Sequence, residues 1–315
     1  IMSINLQETY AKQIQRIFTT KSLISGRLNN DYTFSGAKTV KVTTPQTVEM
    51  SDYQRTGTNR YGIPAEMQDT CQELTLSQDK CFSMIIDKGN DADQGYLKSA
   101  GKILSLQISE RAIPQMDKYC FKTLAEKAGK IVADTTVLTK ANICDIISEG
   151  TAYMDDKEVP QDGRILYLPV TSYKFLKHSD EFLAVEKIAE KAIVQGQVGT
   201  YDNMTVIKVP QSRWPSNVNF MIVYKNSATV PVKLNDTKIH KDPPGISGNL
   251  LEGRQYYDLF VFGAKADGVY VNVDTSAGKG KVLASPAINA ATGVITPAEG
   301  ATIKYTTDGT DPRYS

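Results

Sequence analysis

The residues able to do chemistry are few and scattered. Histidine, the usual general base near neutral pH, occurs only as His178 and His240. Neither stands near a nucleophile motif such as G-x-S-x-G. His178 lies amid Lys177 and Asp180 in a stretch of helical pattern, and His240 lies beside Lys241 in a polar loop. Both are expected to be solvated. The cysteines are Cys71, Cys81, Cys120 and Cys144. None forms a C-x-x-C pair, and the spacings match no zinc pattern. They are expected to be buried thiols acting as small apolar residues. Asp155, Asp156 and Glu158 form an acidic cluster able to attract a cation, but a solvated helix end accounts for it. The run DGTDP at 308–312 places carboxylates at a turn, which β-turn chemistry explains without a metal. There is no Walker loop, no G-x-G-x-x-G, no H-E-x-x-H and no calcium loop, and G-K-G at 278–280 reads as linker. The expectation is therefore no catalytic residue, no cofactor and no metal. A site assembled from distant residues leaves no local pattern, so a scattered active site stays open at this point.

The bulk numbers narrow the classes. The 315 residues suffice for one large domain or two ordinary ones, and 41% hydrophobic content allows a sizeable core. The net charge is +1, with no long basic tail, so charge alone does not grip nucleic acid. No apolar run approaches the roughly 20 residues of a membrane span. The start is polar and amphipathic and lacks the apolar core of a secretory signal, so folding in a cytoplasm is expected.

The longest element is a helix expected over residues 90–130. Apolar residues recur at Leu97, Ala100, Leu104 and Ile108, then at Ile113, Met116, Cys120 and Leu124, both sets stepping by three and four. The phase slips between the sets, beside Pro114. A proline there removes a backbone donor and crowds the preceding turn, so the helix is expected to kink without ending. At about 1.5 Å per residue a helix of nearly 40 residues would be roughly 57 Å long, more than a compact domain needs.

Other segments change period. A short helix is expected at 6–17. Val40, Val42, Leu74, Leu76, Phe82, Met84 and Ile86 alternate with other residues, as strands do. Between them a polar stretch at 49–70 holds Gly57, Gly62 and Pro64. This reads as a two-stranded arm with a flexible tip, marginal alone and needing support from its own body or from another subunit. A second helix, capped by Thr139, presents Ile143, Ile147 and Met154. RILYLPV at 164–170 and FMIVYK at 220–225 read as buried strands. YYDLFVF and GVYVNV, split by 263–268, read as a hairpin. Beyond a linker at 276–282 come short strands and turn residues, too few to close a core, so that piece is truncated or completed elsewhere.

Several segments resemble one family. ERAIPQMDKYCFKTLAEKAG at 110–129 resembles the spine helix of major capsid proteins from tailed phages and prophages of Firmicutes, where a proline precedes an acidic-Lys-Tyr run in the same way. NNDYTFSGAKTVKV and SDYQRTGTNRYGIP resemble that family's extended loop, the E-loop. RILYLPVTSYKFL and GTYDNMTVIKVP resemble its axial domain, and YYDLFVFGAKADGVYVN the closing strands of its peripheral domain. The tail ATIKYTTDGTDPRYS resembles the start of a chitobiase-like, immunoglobulin-type module.

The resemblance implies an α+β chain with the Hong Kong 97-like capsid fold. The implied organisation is an N-terminal arm at 1–28, the E-loop hairpin and strands at 29–88, the spine helix at 89–132, an axial domain at 133–245, closing peripheral strands at 246–277, and a linker with a partial immunoglobulin-like module at 278–315. The implied activity is non-enzymatic self-assembly into pentamers and hexamers of an icosahedral shell around double-stranded DNA. Partners would be copies of itself, then scaffolding, portal and decoration proteins, with weak non-specific contact to packaged DNA and no membrane. The implied location is the virion, after folding in the host cytoplasm. At the E-loop tip, Tyr53, Arg55, Arg60 and Tyr61 would face a neighbouring subunit, and Pro114 would set the bend of the spine. A relative of this fold crosslinks its shell through an E-loop lysine. Here no lysine lies between positions 42 and 79, so non-covalent joining is expected. Three rivals remain at this stage: an encapsulin-type cargo compartment with the same fold, an extracellular carbohydrate-binding surface protein suggested by the tail alone, and an enzyme with a scattered site.

Overall fold

A computed structural model describes residues 21–29, 31, 39–64, 66–67, 69–93, 100–179 and 197–276, with isolated positions from 279 to 303. After an anchored segment at 21–29 the chain forms β1 (Thr39–Pro45), which pairs antiparallel with β2 (Asp69–Thr75). Next come β3 (Gln78–Asp87), the short α1 (Lys88–Asp93), α2 (Ala100–Gln107), a π turn at Ile108–Ala112 and α3 (Ile113–Glu126). Then follow β4 (Lys130–Asp134), α4 (Ile143–Asp156), β5 (Arg164–Pro169) and α5 (Val170–Lys177). Beyond these lie β6 (Gln197–Tyr201), β7 (Met204–Val209), a 3-10 turn at Gln211–Arg213, β8 (Val218–Tyr224), β9 (Ala228–Thr229), β10 (Val232–Lys241), β11 (Gly248–Tyr257), β12 (Phe260–Val261) and β13 (Val269–Asp274). The short β14 (Ala287–Ile288) and β15 (Ile295–Thr296) pair with each other.

The central sheet has the order β4-β13-β8-β5-β7-β6. It is mixed: β5 runs parallel to β7 and β13 parallel to β4, while the other pairs are antiparallel. Helices cover both faces, which is why its strands are apolar without alternation. Side chains of successive residues point to opposite faces. Ile165, Tyr167, Met221, Val223, Val269 and Val271 accordingly pack with Phe121 and Leu124 of α3. Leu166, Leu168, Phe220, Ile222 and Tyr270 pack with Ile143, Ile147 and Met154 of α4 and with Leu176 of α5. A second sheet has the order β10-β11-β3, with β10 largely exposed at its edge. There Gly253 sits under the Phe82 ring, which leaves no room for a Cβ.

The phase slip beside Pro114 has a physical form. Ile108 and Ile113 are five residues apart, and the Ile113 amide donates to the Ile108 carbonyl, the i to i−5 bond of a π turn. Pro114 follows in the first turn of α3. Its ring has no N–H to offer the Glu110 carbonyl, and the wider turn relieves the crowding a tight α turn would impose. The helix continues through: Ala112 and Ile113 both keep right-handed helical angles. Positions 94–99, including Leu97, lie outside the described residues, as do the expected helix at 6–17, most of the 276–282 linker, the DGTDP turn and nearly all of the expected immunoglobulin-like module.

Four local expectations are corrected. YYDLFVF and GVYVNV do not pair as a hairpin: β12 pairs with β9, and β13 lies between β4 and β8. An apolar run able to bury both faces is stabilised more inside the central sheet than at its edge. Asn142, not Thr139, precedes α4, and its side-chain oxygen accepts from the Thr139 amide and hydroxyl. His240 lies within β10, not in a loop. Only Cys120 and Cys144 are buried, whereas Cys71 and Cys81 are exposed, because the strands carrying them leave one face uncovered.

Candidate functional site

The β1–β2 ribbon is rooted on the body of its own chain. Leu74 and Leu76 are buried against Phe260 and Phe262, with Val40, Val42 and Tyr256 packed around them. Polar ties reinforce this root. The Gln72 side-chain amide donates to the Val261 carbonyl (3.0 Å) while its oxygen accepts from the Gly263 N–H (3.0 Å). The Tyr256 hydroxyl donates to the Leu76 carbonyl (3.1 Å). Where the ribbon meets β3, the Ser77 amide donates to one oxygen of Asp258 (2.7 Å); the other oxygen accepts from the Tyr119 hydroxyl (2.7 Å) and the Leu259 amide (2.8 Å). Burial, and next the hydrogen bond to Asp258, raise the Tyr119 hydroxyl above its ordinary value.

Beyond the root, the described residues from 46 to 67 are almost all exposed. Gly57 and Gly62 take positive φ, as does Asn59, so the chain turns sharply at the tip. The Gln54 amide donates to the Arg60 carbonyl (3.0 Å) and the Gly62 amide to the Asn59 carbonyl (2.9 Å). The Tyr53 and Tyr61 rings meet edge to face with centroids 5.0 Å apart. Arg60 donates to the Gly57 carbonyl (3.3 Å), and Arg55 is exposed. The structure therefore brings three of the four tip residues, Tyr53, Arg60 and Tyr61, into one turn. Pro114 lies away in sequence on the helical rod and is half-buried.

The stretch read as polar also carries apolar side chains in water. Met50 is 100% exposed, Ile63 88% and Tyr61 86%, with Val48, Tyr53 and Met67 exposed as well. Sequence reasoning passed over Val48, Met50, Ile63 and Met67. The available signal was apolar residues without period, set among glycine and proline, which a narrow ribbon cannot cover.

A second anchor holds the segment at 21–29. Leu23, Ile24 and Leu28 enter the core beside α3. Asp117 of α3 is fully buried and accepts from Ser22 Oγ (2.6 Å), the Leu23 amide (3.1 Å) and Arg213 Nη1 (2.8 Å). Burial pushes its carboxyl up; the bonds from Ser22, Leu23 and Arg213 pull the other way. Asp117 and Tyr119 are two residues apart, about 200° around a helix. The rod thus holds the N-terminal segment on one flank and the root of the ribbon on the other.

Among the described residues, groups suited to catalysis do not gather. His178 is exposed, and His240 contacts the exposed Glu252 at 3.2 Å. Asp155 is engaged by Arg164 (2.6 Å). Among the described residues no group of three or more His, Cys, Asp or Glu is placed to hold a metal ion. An open depression of about 420 Å³ on the β10-β11-β3 face is bordered by Lys238, Glu252 and Arg254, whose charges are partly spent on neighbours such as Asp79 and Asp236.

No protein-family model matches the sequence, and no curated protein matches it. Solved structures do match. One, from Mycobacterium phage Che8, is 12% identical with a TM-score of 0.68, over 88% of this chain and 100% of that one. A capsid structure of cyanophage P-SCSP1u is 12% identical, TM-score 0.69, over 87% of this chain and 94% of that one. The asymmetric unit of the bacteriophage PhiM1 mature capsid is 11% identical, TM-score 0.66, over 86% and 92%. The chain has the α+β fold of these phage capsid structures.

Proposed function

We propose that this chain is a major capsid protein of a tailed phage or prophage, a structural subunit that joins copies of itself into the pentamers and hexamers of an icosahedral shell around double-stranded DNA. The observation that carries the reading is the tip: six large apolar side chains stand in water on an arm whose root is fastened to the body. Burial is worth roughly 25 cal/mol per Å² of apolar surface, and a clustered set of this kind marks a contact surface. A second copy of the chain is the partner that a shell supplies. Tyr53, Arg55, Arg60 and Tyr61 meet it, aromatic and arginine side chains being the types that anchor interfaces. Pro114 and its π turn set the bend of the rod and so the curvature of the subunit.

The fold shared with phage capsid structures supports this reading. The rival cargo-compartment and carbohydrate-binding readings draw no support from neighbours that are phage structures. The role is structural, with the virion as its location. Scaffolding, portal and decoration proteins are its further partners, and a net charge of +1 leaves contact with packaged DNA weak and non-specific. Negative-stain microscopy of the purified protein tests it. Closed particles, or rings of five and six, are expected; a field of single molecules at every concentration overturns it.

A further inference from the structure

We propose that Asp258 is the positioning residue of the arm, fixing in the lone chain the direction in which the ribbon leaves the body. This deepens the shell reading, and only its second readout depends on that reading.

The ribbon joins the second sheet through a joint of two residues. β2 ends at Thr75 and β3 begins at Gln78, leaving Leu76 and Ser77 between strands of different sheets. Leu76 is fixed by burial against Phe260 and Phe262 and by the Tyr256 hydroxyl on its carbonyl, so Ser77 is the residue at which the ribbon could pivot against the second sheet. The Asp258 carboxylate stops that rotation. It is 4% exposed and divides its oxygens between the two sides of the joint. Oδ2 takes the Ser77 amide; Oδ1 takes the spine hydroxyl of Tyr119 and the amide of Leu259. Bonds to an ionised acceptor are the strong, short kind. Gln72 makes an independent tie farther along the ribbon, to Val261 and Gly263. The arm is thus aimed before a second copy arrives, and only its tip is left to settle on contact.

The isosteric change Asp258→Asn weakens this tie. With its oxygen toward Tyr119 and Leu259, its NH₂ meets the Ser77 N–H, donor against donor; with its oxygen toward Ser77, its NH₂ meets the Leu259 N–H and takes the Tyr119 hydroxyl as acceptor. In either pose the joint loses one of its three bonds, and the ionised acceptor, while the body keeps its packing.

Hydrogen exchange of the unassembled chain gives the first readout. In the parent protein the Ser77 and Gly263 amides are expected to be protected. In Asp258→Asn both are expected to exchange about 10- to 100-fold faster, with the amides of β5 and β8 unchanged. Gly263 is decisive, because it is bonded to Gln72 and not to Asp258. Acceleration at Ser77 alone means a local bond and overturns the proposal, as does an unprotected Ser77 in the parent. Gln72→Ala is the reciprocal variant, expected to speed exchange at Ser77, and it serves if Asp258→Asn does not fold. The second readout is particle uniformity by microscopy. Asp258→Asn is expected to give particles of mixed size, and uniform parental particles overturn the proposal. If the parent itself forms no particles, the shell reading fails while the exchange result still decides the role of Asp258.

Discussion

Cysteine exposure divides the thiols into two classes. Cys120 sits at the core side of α3, where burial pushes its thiol up, and Cys144 is buried on α4. Cys71 and Cys81 lie on strands with an uncovered face. A thiol reagent added to the unassembled native chain should therefore label two cysteines quickly and the other two only on unfolding, as read by mass spectrometry. Equal labelling of all four would contradict the packing around α3. The Asp117–Arg213 pair makes a different demand. Removing one partner from a buried pair strands the other charge, so Asp117→Ala should cost about 3–5 kcal/mol in denaturant unfolding. Adding Arg213→Met should recover part of that loss, because it removes the buried guanidinium that has lost its carboxylate. Additive losses would mean that the two side chains do not act as a pair.

The helical rod turns a one-residue irregularity into geometry. The apolar spacing of its two halves is offset by one residue, from Ile108 to Ile113, and the π turn takes up that residue. Deleting Ser109 would rotate α2 by about 100° relative to α3. The α3 face is fixed by Phe121 and Leu124 in the core, so the loss falls on α2, expected as selective loss of exchange protection over 100–107. Uniform protection across the whole rod would argue against a built-in phase change. Pro114→Ala is gentler. It restores a donor without removing the extra residue, so the subunit should fold while particle diameter changes. Particles of parental size and stability would remove Pro114 from the account of curvature.

At the scale of the whole molecule, the tip and the body have separable roles. Replacing residues 47–67 by a short turn removes almost no buried surface, so the melting temperature should stay within a few degrees. Particles should then fail to form, as seen by microscopy and sedimentation. Assembly without the tip would place the main contact elsewhere. The lack of lysine between positions 42 and 79 bears on the same scale. Particles boiled in denaturant should run as a single band at monomer size, and a ladder of multimers would contradict non-covalent joining.

Local periodicity determined much of this molecule in advance. Unbroken apolar runs marked the strands covered on both faces, three-and-four spacing marked α3 and α4, and the slip beside Pro114, read as a kink, fell where the structure has a π turn. Each of these is a property of neighbouring residues. What only the tertiary structure decided is which distant groups meet. Ser77 and Asp258 are 181 residues apart, and Asp117 and Arg213 are 96 apart. Such pairs carry no spacing rule, because their separation depends on how intervening elements pack and not on the chain between them. The same reason explains why β13 left its expected hairpin for the central sheet, and why Met50 and Ile63, unremarkable in the sequence, stand in water. Burial is a property of the finished surface, which no segment of the sequence contains.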